Sequence, residues 1–106
     1  MIENKDKTIE RVLLVGVLLP GEEEWRVRDT LDELAQLAES AGAEVLERLL
    51  VRQAKLKAGH YIGTGKAEEI AERVVEEEAT MVVFDDDLSP VQGRNLEGVF
   101  KARVLD

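Results

Sequence analysis

Apolar residues along this chain follow two patterns. Val12 to Leu19, VLLVGVLL, is an unbroken run rich in Val and Leu, which predicts a strand buried on both faces, as in a parallel sheet. Pro20-Gly21 ends it. Val27, Leu31, Leu34, Ala38 and Ala41 then recur at helical spacing, and Gly42 stands where a helix C-terminus favours positive φ. The glutamates Glu22, Glu23 and Glu24 favour the opposite end of that helix electrostatically. Ala43 to Arg52 predicts a second strand, and Glu47 and Arg48 interrupt its apolar run, which places it at the sheet edge. A loop from Gln53 to Thr64 leads into a helix from about Gly65 to Glu78, with Ala67, Ile70, Ala71 and Val74 facing inward. Thr80 to Asp85 predicts a third strand. Ser89 as N-cap, Pro90 at the first helical position and Gln92 completing a capping box start a helix that runs to about Val99. ARVLD, at the end of the chain, predicts a short last strand.

The order βαβαβαβ implies an α/β fold, with helices on both faces of a parallel sheet and right-handed crossovers. The first and third strands are the most apolar and belong at the centre. The expectation is an open four-stranded parallel sheet, order 2-1-3-4, with three helices. The chain has 106 residues, which fits one domain, 11–106, behind a flexible leader, 1–10. There is no run of about 18 apolar residues and no signal-peptide core in MIENKDKTIE, so a cytoplasmic protein is expected. The absence of cysteine excludes disulfides and thiolate metal sites.

Charge changes the picture more. The formal net charge is -9, which by itself opposes binding to phosphates. Yet no acid lies between Arg48 and Ala67, where Arg52, Lys55, Lys57 and Lys66 are basic and His60 can join them when protonated. The acids gather elsewhere, at Glu22–Glu24, Glu76–Glu78 and Asp85–Asp87.

In an open parallel sheet, ligands bind at the C-terminal ends of the strands. Three loops emerge there: LPGEEEW, the basic loop ending in GTGK, and DDDLSP. YIGTGKAEEI, from Tyr61, has the look of a phosphate loop but departs from G-x-x-x-x-G-K-[ST]: His60 stands where the first glycine belongs and Ala67 where the magnesium-binding hydroxyl belongs. The dinucleotide fingerprint fails at Glu68. What remains is a glycine turn offering N–H groups at a helix start beside Lys66, able to receive a phosphate. Otherwise Gly63 and Gly65 serve the fold itself, through positive φ or close packing. Asp85, Asp86 and Asp87 are weak candidates for Mg²⁺, since Asp in a turn before a helix serves the turn itself. His60, the lone histidine, has no triad partners, and LLPG lacks the acids a receiver domain carries after its first strand.

VLLVGV, LDELAQLAESAGAEV, YIGTGKAEEI, VFDDDLSPVQGRNLE and ARVLD together resemble the N-terminal domain of HflX-type GTPases, over nearly the whole chain from Arg11. Gly93 departs mildly, where a larger residue is usual. The resemblance implies a non-catalytic docking domain that helps bind ribosomal RNA of the large ribosomal subunit in ribosome splitting or rescue. GTP and Mg²⁺ would belong to a separate GTPase domain carrying the true P-loop, outside this sequence, and no cofactor to this part. Its partners would be that RNA and the protein's own helical segment and GTPase domain, with no membrane. On this reading Arg52, Lys55, Lys57 and Lys66 neutralise phosphates, His60 and Tyr61 stack on an exposed base, and Gly63 and Gly65 admit the sugar-phosphate chain; alternatively Tyr61 and Ile62 plug the core. The rival expectation is ATP binding or hydrolysis through the Gly63–Lys66 loop. A third is a protein adaptor using the acidic helix from Glu68 to Glu78.

Overall fold

In a computed structural model, which describes residues 9–106, the chain forms β1 (Arg11–Leu18), α1 (Glu24–Ser40), β2 (Glu44–Arg52), α2 (Thr64–Glu77), β3 (Met81–Phe84), α3 (Pro90–Phe100) and β4 (Arg103–Leu105). All strands are parallel, in the order β2-β1-β3-β4. This is the expected α/β sheet, and element ends agree to within a residue or so. The expected leader covers 1–10; residues 1–8 lie outside the described residues. Glu10 lies inside them and is tied to the sheet: its carbonyl accepts from Glu44 N at 2.8 Å and its carboxylate from Thr80 Oγ1 at 2.7 Å.

Alternation along β1 sends its side chains into two cores. Leu13, Val15 and Val17 join Val82 and Phe84 of β3 beneath α2 and α3, which supply Ile70, Val74, Leu96 and Phe100. Val12, Leu14 and Met81 face α1, which contributes Leu31 and Ala35. Each large apolar side chain wholly buried in this way stabilises the fold by about 1.5–3 kcal/mol. β2 carries a bulge at Leu46, opposite the Val12–Leu13 step of β1. Beyond it Glu47, Leu49 and Val51 point to the α2 side, while Arg48 and Arg52 reach back to α1.

The helix ends follow local chemistry. Gly42 takes φ 97° after α1, and Ala43 N donates back to Ala38 O at 3.0 Å. At α3, Ser89 Oγ accepts from Gln92 N at 3.1 Å and Gln92 Oε1 accepts from Ser89 N at 2.9 Å, closing the predicted capping box.

Gly16 sets how closely α1 approaches the sheet. A Cβ there would lie 2.7 Å from Val27 Cγ1 and 3.2 Å from Leu31 Cδ1. Val27 is short and β-branched, so relief requires α1 itself to move. Gly16→Ala is expected to destabilise the domain by about 1–3 kcal/mol in urea denaturation, through overpacking.

Candidate nucleic-acid interface

Residues 53–63 cross over the C-terminal ends of the strands, from the edge strand β2 towards α3. They are held in place by side chains from distant parts of the chain. Gln53 is the internal brace: its Nε2 donates to Lys55 O at 2.8 Å and Tyr61 O at 2.9 Å, and its Oε1 accepts from Gly63 N at 3.0 Å. Lys57 and Tyr61 exchange both backbone hydrogen bonds at 3.0 Å, closing a narrow loop. From α3, Gln92 Nε2 donates to Lys57 O at 2.9 Å and Asn95 Nδ2 to Gly59 O at 2.8 Å. The Tyr61 hydroxyl donates to Asp86 Oδ2 at 2.5 Å. The segments YIGTGK and FDDDLSPVQGRN therefore form one physical unit, the second clamping the loop that leads into the first.

The bend at Tyr61 is strained. Its φ is 68°, in the left-handed region that a bulky side chain avoids, and Ile62 N donates to His60 O at 2.6 Å across it. This is a γ-turn of the rare positive-φ kind. Burial holds it: Tyr61 is only 5% exposed, edge-on to Phe84 with ring centroids 6.0 Å apart, and Ile62 is fully enclosed. Burial, then the bond to Asp86, raises the phenol pKa far above its ordinary value. Tyr61 therefore has no free face for a base to stack on. Of the two expectations for Tyr61 and Ile62, the structure has the plug.

The expected cations divide into two groups. Arg52 is paired with Glu24 at 2.5 Å, Arg48 with Asp32 at 3.0 Å and Lys66 more loosely with Glu69 at 3.8 Å. The bond to Arg52, followed by that to Arg28, holds the Glu24 carboxyl below the usual range. Lys66 lines a separate hollow with Arg28, Arg48 and Arg73 on the β2 side. Lys55 and Lys57 are exposed and, among the described residues, have no carboxylate at ion-pair distance. Of the expected cations, Lys55 and Lys57 are thus the two on the loop with no such partner among the described residues. The acids that pair Arg48 and Arg52 sit in α1, outside the acid-free stretch.

Lys57, Gly59, His60, Ile62, Gly63 and Thr64 line one shallow depression of about 410 Å³. Gly63 is the N-cap of α2, with φ -63° and no side-chain cap. A Cβ at Gly63 or Gly65 would meet nothing within 4 Å, and neither glycine has positive φ. The fold does not demand these glycines, for turn geometry or for packing. They leave the backbone at the start of α2 open to whatever approaches it.

Asp86 is committed to Tyr61, and among the described residues no three His, Cys, Asp or Glu side chains stand together as a metal site. Partial burial, with the Asp86 charge adding to it, raises the Asp85 pKa. A carboxyl raised on folding opposes folding while ionised; the penalty is full above its folded pKa and gone below the unfolded value of about 3.9. Asp85→Asn is therefore expected to raise stability at pH 7 and to match the parent below about pH 4, as read by urea denaturation at the two pH values.

One surface residue escaped the reading of the sequence. Trp25, the sole tryptophan, is 58% exposed at the start of α1, beside the Glu24–Arg52 pair. Its Nε1 donates to Glu23 Oε1 at 2.7 Å, and the Arg26 guanidinium lies 4.9 Å from its ring centroid. The signal was available: a lone Trp among acidic residues, off the inward stripe of its helix.

Comparison with known proteins places this geometry in context. The family described as GTP-binding GTPase N-terminal matches residues 28–106. A GTPase HflX of Lacrimispora saccharolytica is 43% identical over 97 residues, covering 92% of this chain and 22% of that protein. One from Flavobacterium psychrophilum is 33% identical over 106 residues, covering 100% and 26%. The GTPase HflX of Escherichia coli is 36% identical over 97 residues, covering 92% and 22%. The chain thus spans about a quarter of the length of these relatives or less.

Proposed function

The chain belongs to the GTP-binding GTPase N-terminal family, the N-terminal part of HflX-type GTPases, and from that membership we propose that it is a non-catalytic docking domain. It helps hold the large ribosomal subunit through ribosomal RNA, in ribosome splitting or rescue. GTP, Mg²⁺ and the hydrolytic chemistry belong to the GTPase domain of the longer protein. Placement is what this domain supplies.

The observation that carries the reading is the braced loop. Its two lysines have no carboxylate at ion-pair distance among the described residues, and it leads into a glycine turn with open backbone at the start of α2. Each feature suits a sugar-phosphate chain. The lysines release counterions from phosphates, and the uncapped N–H groups at the helix start can donate to a phosphate oxygen. Glycine lets the strand approach closely. His60, half-buried in the same depression, is the ring available at this site in place of Tyr61. The net charge of -9 acts against indiscriminate RNA binding and leaves recognition to one face. No helix among the described residues is long and apolar enough to cross a membrane.

The test is co-sedimentation of the longer protein with isolated large subunits, with and without Lys55→Glu and Lys57→Glu. Retained binding by the doubly reversed protein would remove the loop from the interface.

A further inference from the structure

Packing does not hold the loop that carries Lys55 and Lys57. Ala54 to Ala58 are exposed, Leu56 among them at 42%, and Gly59 and His60 are half-buried. Buried side chains begin only at Tyr61, towards the loop's end. A segment with so few buried apolar contacts is ordinarily of low local stability. Here neutral amides fix it. Asn95 Nδ2 of α3 donates to Gly59 O and Gln92 Nε2 to Lys57 O, while Gln53 Nε2 donates to both Lys55 O and Tyr61 O. Each bond occupies a carbonyl oxygen, which would otherwise repel an approaching phosphate. An amide supplies the donor with no charge of its own; a carboxylate in its place would lack the donor and draw on the lysines. Among the described residues, the Asn95 side chain makes this hydrogen bond alone. It serves the loop and not α3.

We infer that Asn95 and Gln92 are positioning residues for RNA docking: they raise affinity through the loop they hold and not through contact of their own. The inference rests on the docking reading proposed above. A loop already ordered before contact loses little conformational freedom on binding, so more of the attraction between lysine and phosphate appears as affinity. Freed of its α3 bonds, the loop would still carry both lysines and neutralise the same phosphates, but it would have to be ordered at the moment of contact. Position and charge are therefore separable. Loss of an amide lowers affinity at an unchanged salt slope, whereas loss of a lysine lowers both.

Asn95→Leu keeps the size of the side chain and removes the donor. Gln92→Glu keeps the capping-box acceptor for Ser89 N and removes the donor to Lys57 O. In the longer protein free of ribosomes, hydrogen exchange read by mass spectrometry over residues 54–63 is expected to quicken about three- to tenfold in either variant, and to stay unchanged over β1 and β3. Asn95→Leu is expected to bind isolated large subunits about three- to tenfold more weakly at an unchanged salt slope. Gln92→Glu serves only the exchange measurement, because its charge would itself repel phosphate. Unchanged exchange over 54–63 in both variants would overturn the inference, and so would faster exchange with full affinity. A lowered slope in Asn95→Leu would overturn it too, since phosphate contacts would then have been lost. Lys55→Glu with Lys57→Glu, measured alongside, separates the two claims: if that protein binds as the parent does, the docking reading itself falls, and this inference with it.

Discussion

Tyr61→Ala is expected to destabilise the domain by about 3–5 kcal/mol, the range for emptying a large aromatic site in a core. The ring is buried, meets Phe84 edge-on and anchors Asp86 through its hydroxyl. Its backbone, at φ 68°, costs an L-residue roughly 1–2 kcal/mol, and alanine inherits that cost in full. A comparison of small residues isolates this strain. Glycine normally destabilises relative to alanine, but here Tyr61→Gly is expected to be more stable than Tyr61→Ala by about 1 kcal/mol, because glycine adopts positive φ freely. Tyr61→Phe keeps the ring and loses only the bond to the exposed Asp86, about 1 kcal/mol. Chemical denaturation of the three variants reads all of this. An alanine variant as stable as the glycine variant would show that the turn carries no strain.

Lys55→Glu with Lys57→Glu is expected to weaken binding of the longer protein to the large subunit by about 2–3 kcal/mol, roughly 30- to 150-fold at low salt. Each reversal removes one attraction and adds one repulsion, and an exposed charge pair contributes about 0.2–1 kcal/mol. Neither lysine has an ion-pair partner among the described residues, so the domain's own stability should change by no more than about 0.5 kcal/mol. The same reversal at Arg52 is a poorer test: it also breaks the pair with Glu24, so a loss there mixes local repacking with lost contact.

What was legible in the sequence follows from how local the signals are. The central strands announce themselves as continuous apolar runs, and the α3 start as Ser89, Pro90 and Gln92 within four residues. The edge position of β2 was readable from Glu47 and Arg48, but its bulge at Leu46 was not, because nothing in the residue types requires one. The site was less legible, since its decisive contacts join residues far apart in sequence. Arg52 meets Glu24, and Tyr61 meets Asp86. An acid-free stretch says nothing of acids folded against it. In this loop the positive φ fell on Tyr61, ahead of Gly63 and Gly65, because a buried ring can hold a strained turn that glycine would only permit.

Salt dependence of binding to the large subunit examines the central claim most directly, since it counts phosphates neutralised. The lysine pair is expected to contribute about 1.5–2 to the slope of log affinity against log salt, and the doubly reversed protein to lose at least that much. An unchanged slope, with affinity unchanged, would mean that the braced loop does not touch RNA.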